Sequence, residues 1–307
     1  MTAVDREPGK GLLLIVHPTA GGGRGARLLP EVVEALRSAG ADVASEFTRS
    51  IEHAEELVAR AADQDRVAVA LGGDGLAGRV AGACVQHGTL FAALPGGRGN
   101  DFVRGLGVSN QPVAAARQFH EWTERAADIG YVTGPDASPR AFLGIASLGF
   151  DSDVQVRANR TKLIRGSSVY TYAALRTLAG WRPARFSVGA DGAAPSEITG
   201  WSVAAANSAY YGGGMHYAPA AMIDDGYLEL ITAERSSKLH FLAMLPKVFS
   251  GRHVDDPRVH VRRARKILVD ADRPFQVYAD GDPLADLPAT ISVMPGGLRL
   301  LGPTVLA

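Results

Sequence analysis

At 307 residues the chain is long for one domain and comfortable for two, with a sizeable core within reach. Hydrophobic residues make up 46% and charged residues 21%, which excludes disorder along the whole chain. Lys plus Arg number 32 and Asp plus Glu number 32, so there is no global basic field of the kind a nucleic-acid binder carries.

Residues 11–18, GLLLIVHP, are a short apolar run closed by proline, which predicts a buried parallel strand. Glycine-rich TAGGGRGA follows, then LLPEVVEALRSAG with helical spacing and a stop at Gly40. A strand over 41–48 and a helix over HAEELVARAADQ come next. RVAVALGG predicts a strand and GLAGRVAGACVQHG a helix. TLFAALPGG predicts another strand, and beyond GRGNDFVRGLG the stretch QPVAAARQFHEWTER predicts a helix. Strand, loop and helix recur in turn, the pattern of a doubly wound parallel sheet.

Near Asp128 the rhythm changes to short strands: ADIGYV, RAFLGIASLGF, ARFSVGAD, WSVAAANSAY, YLELITAE, KILVDADRPFQVYADGD and ATISVMPGGLRLL. Two helical pieces, ANRTKLIRGSSVYTYAALRTLAG and SKLHFLAMLPKVFSG, interrupt them. The expectation is an α/β N-terminal domain over 1–130 and a mostly antiparallel β-sandwich C-terminal domain over 131–307. The last residues are expected to pack back on the first domain, and a site is expected in a cleft between the two.

The single cysteine, Cys84, excludes an internal disulfide and suits a reducing cytoplasm. The leading MTAVDREPGKG lacks the apolar region of a signal peptide, and no run reaches the roughly 20 apolar residues of a spanning helix. A membrane, if met, is met from the side. The antiparallel second domain has edges through which two copies can pair, so a homodimer is one expectation.

Three glycine clusters follow parallel strands: AGGGRG from Ala20, GGDG from Gly72 and GGRGND from Gly96. Loops after the carboxyl ends of such strands face one crevice, where glycine lets main-chain N–H groups approach an anion. None fits the P-loop spacing, and none fits the dinucleotide fingerprint with its acidic partner. A nucleotide-phosphate site is the expectation, against simple βα turns.

GGDG after a strand, then LPGGRGNDFVRGLG, then DIGYV, FLGIASLGFDSDV, NSAYYGGGMHYAPAAMIDDGYLEL and VYADGDPL, resemble the diacylglycerol kinase family in order and over nearly the whole chain. That family includes bacterial lipid kinases and sphingosine and ceramide kinases, and is distantly similar to NAD kinases. The resemblance implies an ATP- and Mg²⁺-dependent lipid kinase, cytoplasmic and in transient contact with the inner membrane face. It implies that Gly72, Gly73, Asp74 and Gly75 wrap the nucleotide phosphates, with Asp74 near the metal and γ-phosphate. Thr48 would touch the nucleotide, and Gly97, Arg98, Gly99, Asn100 and Asp101 would close the pocket's other side. Asp282 stands where the general base takes the hydroxyl proton. Met222, Asp225 and Tyr227 fall where bacterial relatives hold a structural magnesium.

Several positions depart from the family pattern. His17-Pro18 replaces Asn-Pro, Leu76 stands after GGDG where threonine is usual, and Gly78-Arg79 replaces Asn-Glu. Arg98 replaces a threonine, and Asp282 is one methylene shorter than the usual glutamate. The acceptor could therefore be a diacylglycerol, a sphingoid base or another hydroxyl, and a nucleotide-binding protein with little catalysis is the rival reading. The basic run RVHVRRARK at 258–266 could meet anionic lipid or be a solvated strand face. Asp151 and Asp153 could line the cleft or cap a turn.

Overall fold

The computed structural model describes residues 11–135, 137–161 and 168–303. The leading MTAVDREPGK and the KLIRGS part of the first helical piece of the second domain lie outside the described residues. The chain forms two compact units, Met1–Ala126 with Leu298–Ala307, and Ala127–Gly297.

The first unit alternates β1 (Leu12–Val16), α1 (Arg24–Ser38), β2 (Val43–Phe47), α2 (Ile51–Asp63), β3 (Val67–Gly72), α3 (Asp74–His87) and β4 (Phe91–Pro95). Two short helices follow, α4 (Asp101–Gly105) and α5 (Pro112–Arg117). The strands pair in parallel in the order β4-β3-β1-β2. In register, Ile15 lies opposite Ala70 on one side and Glu46 on the other. Every residue of β1, β3 and β4 is buried, as expected of inner strands of a doubly wound sheet with helices on both faces. At the edge, β2 alternates buried and open positions. The Ser50 hydroxyl caps α2 by accepting from His53 N at 3.2 Å. Gly88, at φ 65°, ends α3 in the left-handed region.

One expected helix is cut short. QPVAAARQFHEWTER is helical only over α5, then makes a single 3₁₀ turn at Phe119–Glu121. The next strand already begins at Thr123. Phe119 and Trp122 have helical i, i+3 spacing, but both are buried, with ring centroids 4.9 Å apart, on a chain already turning into the strand. Tertiary packing outweighs local propensity here.

The second unit is an antiparallel β-sandwich. It contains β5 (Thr123–Thr133, which starts in the first unit), β6 (Arg140–Phe142), β7 (Ile145–Gly149), β8 (Ala184–Ala190), β9 (Ser196–Ala206), β10 (Tyr210–Tyr211), β11 (Met215–His216) and β12 (Leu228–Glu234). After these come β13 (Val259–Ala264), β14 (Lys266–Ala271), β15 (Gln276–Ala279), β16 (Asp282–Asp286) and β17 (Ala289–Gly302). Its helices are α6 (Phe150–Arg160), α7 (Ser168–Gly180) and α8 (Lys238–Phe249). β9 is central, pairing antiparallel with β7, β8 and β12. Over it sits an aromatic core in which Trp201 stacks on Phe241 at 4.3 Å and on Trp181 at 5.2 Å, with Phe150 edge-on.

The last strand serves both units. Its first half pairs with β14, Ile291 lying opposite Ile267, whereas Leu300 pairs in parallel with Phe91 of β4.

Candidate active site

In the first unit the glycine clusters meet main chain to main chain. A Cβ at Gly97 would stand 2.3 Å from Gly73 Cα, and one at Gly96 2.9 Å from Gly72 N. A Cβ at Gly21, from the first cluster, would stand 2.6 Å from Gly96 O. Real side chains do not reach such distances, so glycine at 96 and 97 is what lets the loops after β3 and β4 touch. Gly73 precedes α3, and Gly75 already lies in its first turn. The first intrahelical bond runs from Ala77 N to Gly73 O at 3.1 Å, which leaves the amides before it as donors for an anion.

Asp74 opens α3 and faces the second loop: Phe102 N donates to its Oδ1 at 3.1 Å. Gly99 lies against two carboxylates, since a Cβ there would be 3.0 Å from Asp74 Oδ2 and 3.1 Å from Asp101 Oδ2. Burial first, and then repulsion from Asp101, push the Asp74 carboxyl up to about 6. A pair of desolvated acids beside open helix amides fits a divalent cation carrying phosphate, because the cation removes the repulsion that raises Asp74.

Asn100 organises the second loop. Its Oδ1 accepts from Gly97 N at 2.8 Å, and its Nδ2 donates to Gly97 O at 3.2 Å and to Asn110 Oδ1 at 2.7 Å. Gly97 therefore contributes close approach rather than a free amide. The residue itself is buried and sits at φ 53°, where asparagine is tolerated. Asn110 is a partner that no motif announces.

The other first-unit candidates are more peripheral. Thr48 is buried at the end of β2, its main-chain N donating to Val16 O at 2.8 Å and its hydroxyl to the same oxygen at 3.4 Å. Arg98 is exposed on the loop, and Arg79 faces Glu52. His17 is exposed and accepts from Thr19 N at 3.3 Å, a contact within the turn after β1.

In the second unit, Asp282 is the first residue of β16, directly after a tight turn in which Asp280 and Gly281 both have positive φ, 53° and 90°. Asp-Gly suits such a hairpin. The two acids have different duties: Asp280 accepts from Leu143 N at 2.8 Å and Gly144 N at 2.9 Å, pinning the turn to the main chain before β7. The Gln155 amide donates to Gly281 O at 3.5 Å. Asp282 is partly exposed beside this pinned turn.

Asp128 is buried and fully used by main chain. Gly226 N donates to one carboxylate oxygen at 2.6 Å and Gly296 N to the other at 2.7 Å. Its own amide donates to Ile223 O at 2.5 Å. It ties the 222–227 loop to β17.

The trio Met222, Asp225 and Tyr227 lies in that loop. Asp225 accepts from Tyr227 N at 3.0 Å and is paired with Arg263. Arg263 and Arg265 lie over the Tyr227 ring, 4.2 and 4.6 Å from its centroid. With a guanidinium already on its carboxylate, this loop does not fit a bound divalent cation. The basic run is thus partly internal in purpose, and His260 also pairs with Glu234 at 3.0 Å.

Asp153 accepts from Trp181 Nε1 at 2.8 Å and belongs to the packing under α6. Asp151 lies instead at an apolar cavity of about 100 Å³, with Tyr217 and His253. Motif reading gave Asp151 only alternatives and did not single out His253.

Residues 11–132 match the diacylglycerol kinase catalytic domain family, and residues 144–302 match the YegS C-terminal NAD kinase beta sandwich-like domain family. The chain is 32% identical over 294 residues to a diacylglycerol kinase of Mycobacterium tuberculosis, covering 94% of each. It is 30% identical over 282 residues to a protein of Pseudomonas fluorescens named "Probable lipid kinase YegS-like", covering 87% of this chain and 88% of that one. A crystal structure of a diacylglycerol kinase from Bacillus anthracis superposes with a TM-score of 0.73 at 20% identity, covering 97% and 98% of the two chains, and shares the fold. With both halves matched in order, the chain is a lipid kinase and belongs to the diacylglycerol kinase family.

Proposed function

We propose that this lipid kinase transfers the γ-phosphoryl group of ATP, with Mg²⁺, to a hydroxyl of diacylglycerol or a closely related lipid. The observation that carries this reading is the main-chain contact of the glycine loops around Asp74 in the first unit. Phosphoryl transfer asks little covalent chemistry of a protein and much positioning and charge. The amides at the start of α3 hold phosphate oxygens, and Gly73 and Gly97 let the main chain come close to them. Asp74, next to Asp101, holds the cation, which when bound neutralises charge on the phosphates.

Asp282 accepts the proton of the substrate hydroxyl as that oxygen bonds to the γ-phosphorus and the bond to the β–γ bridging oxygen breaks. The fixed turn beneath it supports this role, because Asp280 holds the main chain and thereby the position of Asp282. Arg98, exposed on its loop, adds a guanidinium for phosphate in place of a hydroxyl. ATP is cytoplasmic and the acceptor lies in a bilayer, so the enzyme works as a peripheral protein at the inner membrane face. Among the described residues no helix is long and apolar enough to cross a membrane.

The test is incubation of the purified protein with γ-labelled ATP, Mg²⁺ and a total lipid extract. A labelled phosphatidic acid is the expected product. A labelled long-chain base phosphate would redirect the acceptor, and ATP-dependent thermal stabilisation without any labelled lipid would leave a nucleotide binder.

A further inference from the structure

The second unit contains the apolar cavity of about 100 Å³ that the proposed chemistry does not use. One wall is the inner face of α8, with Phe241, Met244, Leu245 and Val248, and Trp201 and Ile231 form the floor. Helical spacing puts those four α8 residues on a single side. Only Val248 of the helix is fully buried, so α8 covers the cavity without being locked into the core.

One end of this cavity is polar. Tyr217 donates to Asp151 Oδ2 at 3.4 Å, and the Ser202 hydroxyl also bonds that carboxyl. His253, 5% exposed, packs with its ring 5.3 Å from that of Tyr217. The Tyr217 main-chain carbonyl lies beside the imidazole, but neither ring nitrogen makes a well-formed hydrogen bond. A buried polar atom left without a partner costs about 1–3 kcal/mol, so its retention calls for a partner that arrives. At the rim, His240 and Asp256 pair at 2.9 Å, Arg258 lies 3.6 Å from the same carboxylate, and Glu234 pairs with His260. The rim charges are matched, which leaves the inner end as the place with open capacity.

We propose that the cavity takes a lipid chain bearing a hydroxyl, and that Asp151, Tyr217 and His253 together recognise that hydroxyl. The proposal rests on the lipid-kinase reading for its meaning, though not for its test. A hydroxyl both donates and accepts, which matches a carboxyl and a neutral imidazole facing one space. Burial holds His253 below its ordinary value, so the imidazole is neutral, and raises Asp151 only to about 6, so near neutral pH its carboxylate is mostly ionised and already accepts from Tyr217 and Ser202. An ammonium would have to enter past apolar walls at high desolvation cost, whereas a hydroxyl enters at small cost. A plain alkyl chain would leave His253 unpaired.

The experiment compares binding of a mid-chain hydroxylated fatty acid with its plain counterpart of equal length, followed by tryptophan fluorescence with Trp201 at the cavity. Wild type should bind the hydroxylated chain at least about tenfold more tightly. Tyr217→Phe, which keeps the ring, and His253→Phe should each bring that ratio to within about threefold. Equal affinity of wild type for the two chains overturns the proposal, as does a preference that survives both substitutions. Loss of labelled product in the lipid-extract assay, with the hydroxyl preference intact, would instead overturn the kinase reading alone.

Discussion

The first unit builds its site from main chain, and the second builds its own from side chains. Around Asp74 the essential neighbours are Gly73, Gly96, Gly97 and Gly99, and what matters is the absence of a Cβ. In the second unit the same weight falls on carboxylates: Asp128 on two amides, Asp280 on two more, and Asp151 within the cavity. Arg98 and Leu76, which stand where the family has threonine, leave these glycine contacts in place. Apart from Asp74 and Asn100, which hold the second loop, the side chains there decorate a frame they do not make. The contrast means that the two sites should fail in different ways when altered.

The largest effect should come from Asp282→Asn, which keeps the shape and removes the proton acceptor. Transfer should fall about 10²–10⁴-fold while ATP still raises the melting temperature. Activity retained within tenfold would take the base role from Asp282.

Next is Gly97→Ala, a single methyl group placed against Gly73. Displacing the loops by an ångström should lower kcat/KM about a hundredfold and weaken ATP binding in an equilibrium titration. Arg98→Ala, one residue away, should weaken ATP severalfold at most. If Arg98→Ala is the worse of the two, the idea of a main-chain site is wrong.

Asp128→Ala should act on stability rather than on chemistry. It strands two amides that donate at 2.6 and 2.7 Å, so a loss of about 3 kcal/mol is expected from denaturant unfolding. A loss below about 1 kcal/mol would show that the 222–227 loop is held by Arg263 and its ring contacts instead.

The smallest effect is a proton. In the folded chain Asp74 is raised from 3.8 to about 6, so the native state keeps a proton that the unfolded chain has released. Its contribution to stability is therefore present below pH 4 and is lost as pH rises through about 6. A bound magnesium–nucleotide complex favours the ionised form and should expel that proton. Calorimetry at pH 6 in two buffers of unlike ionisation enthalpy should report about half a proton released, and none at pH 8. Asp74→Asn should abolish the release; if it does not, the proton belongs to another group.

The same contrast explains what could be read in the chain. Alternating strands and helices, and glycines after each strand, lie close together in sequence, so the loops at 72–75 and 96–101 were legible. Asp282 was pointed to by the resemblance alone; the Asp-Gly turn before it, with two positive φ values, is a local demand that fixes where it stands. The cavity was not, since residues 151, 201, 217, 241 and 253 come from five separate elements and become neighbours only through sandwich topology. Phe119 and Trp122 misled for a related reason: helical spacing arose from two residues burying against each other at the exit from a helix. Arg263 reads as one charge in a basic run, and its pairing with Asp225 depends on β12 lying beside β13.

The last strand sets an order of events. Leu300, which pairs with Phe91, is synthesised only after every residue of the β-sandwich unit. The first unit, although it comes first in the chain, must wait with one side of β4 uncovered until the second has been made. No single cut can release it intact, and a fragment ending at residue 130 should expose Phe91 and its neighbours. Translation thus withholds the strand that completes the first unit's sheet until every residue of the second unit has been made.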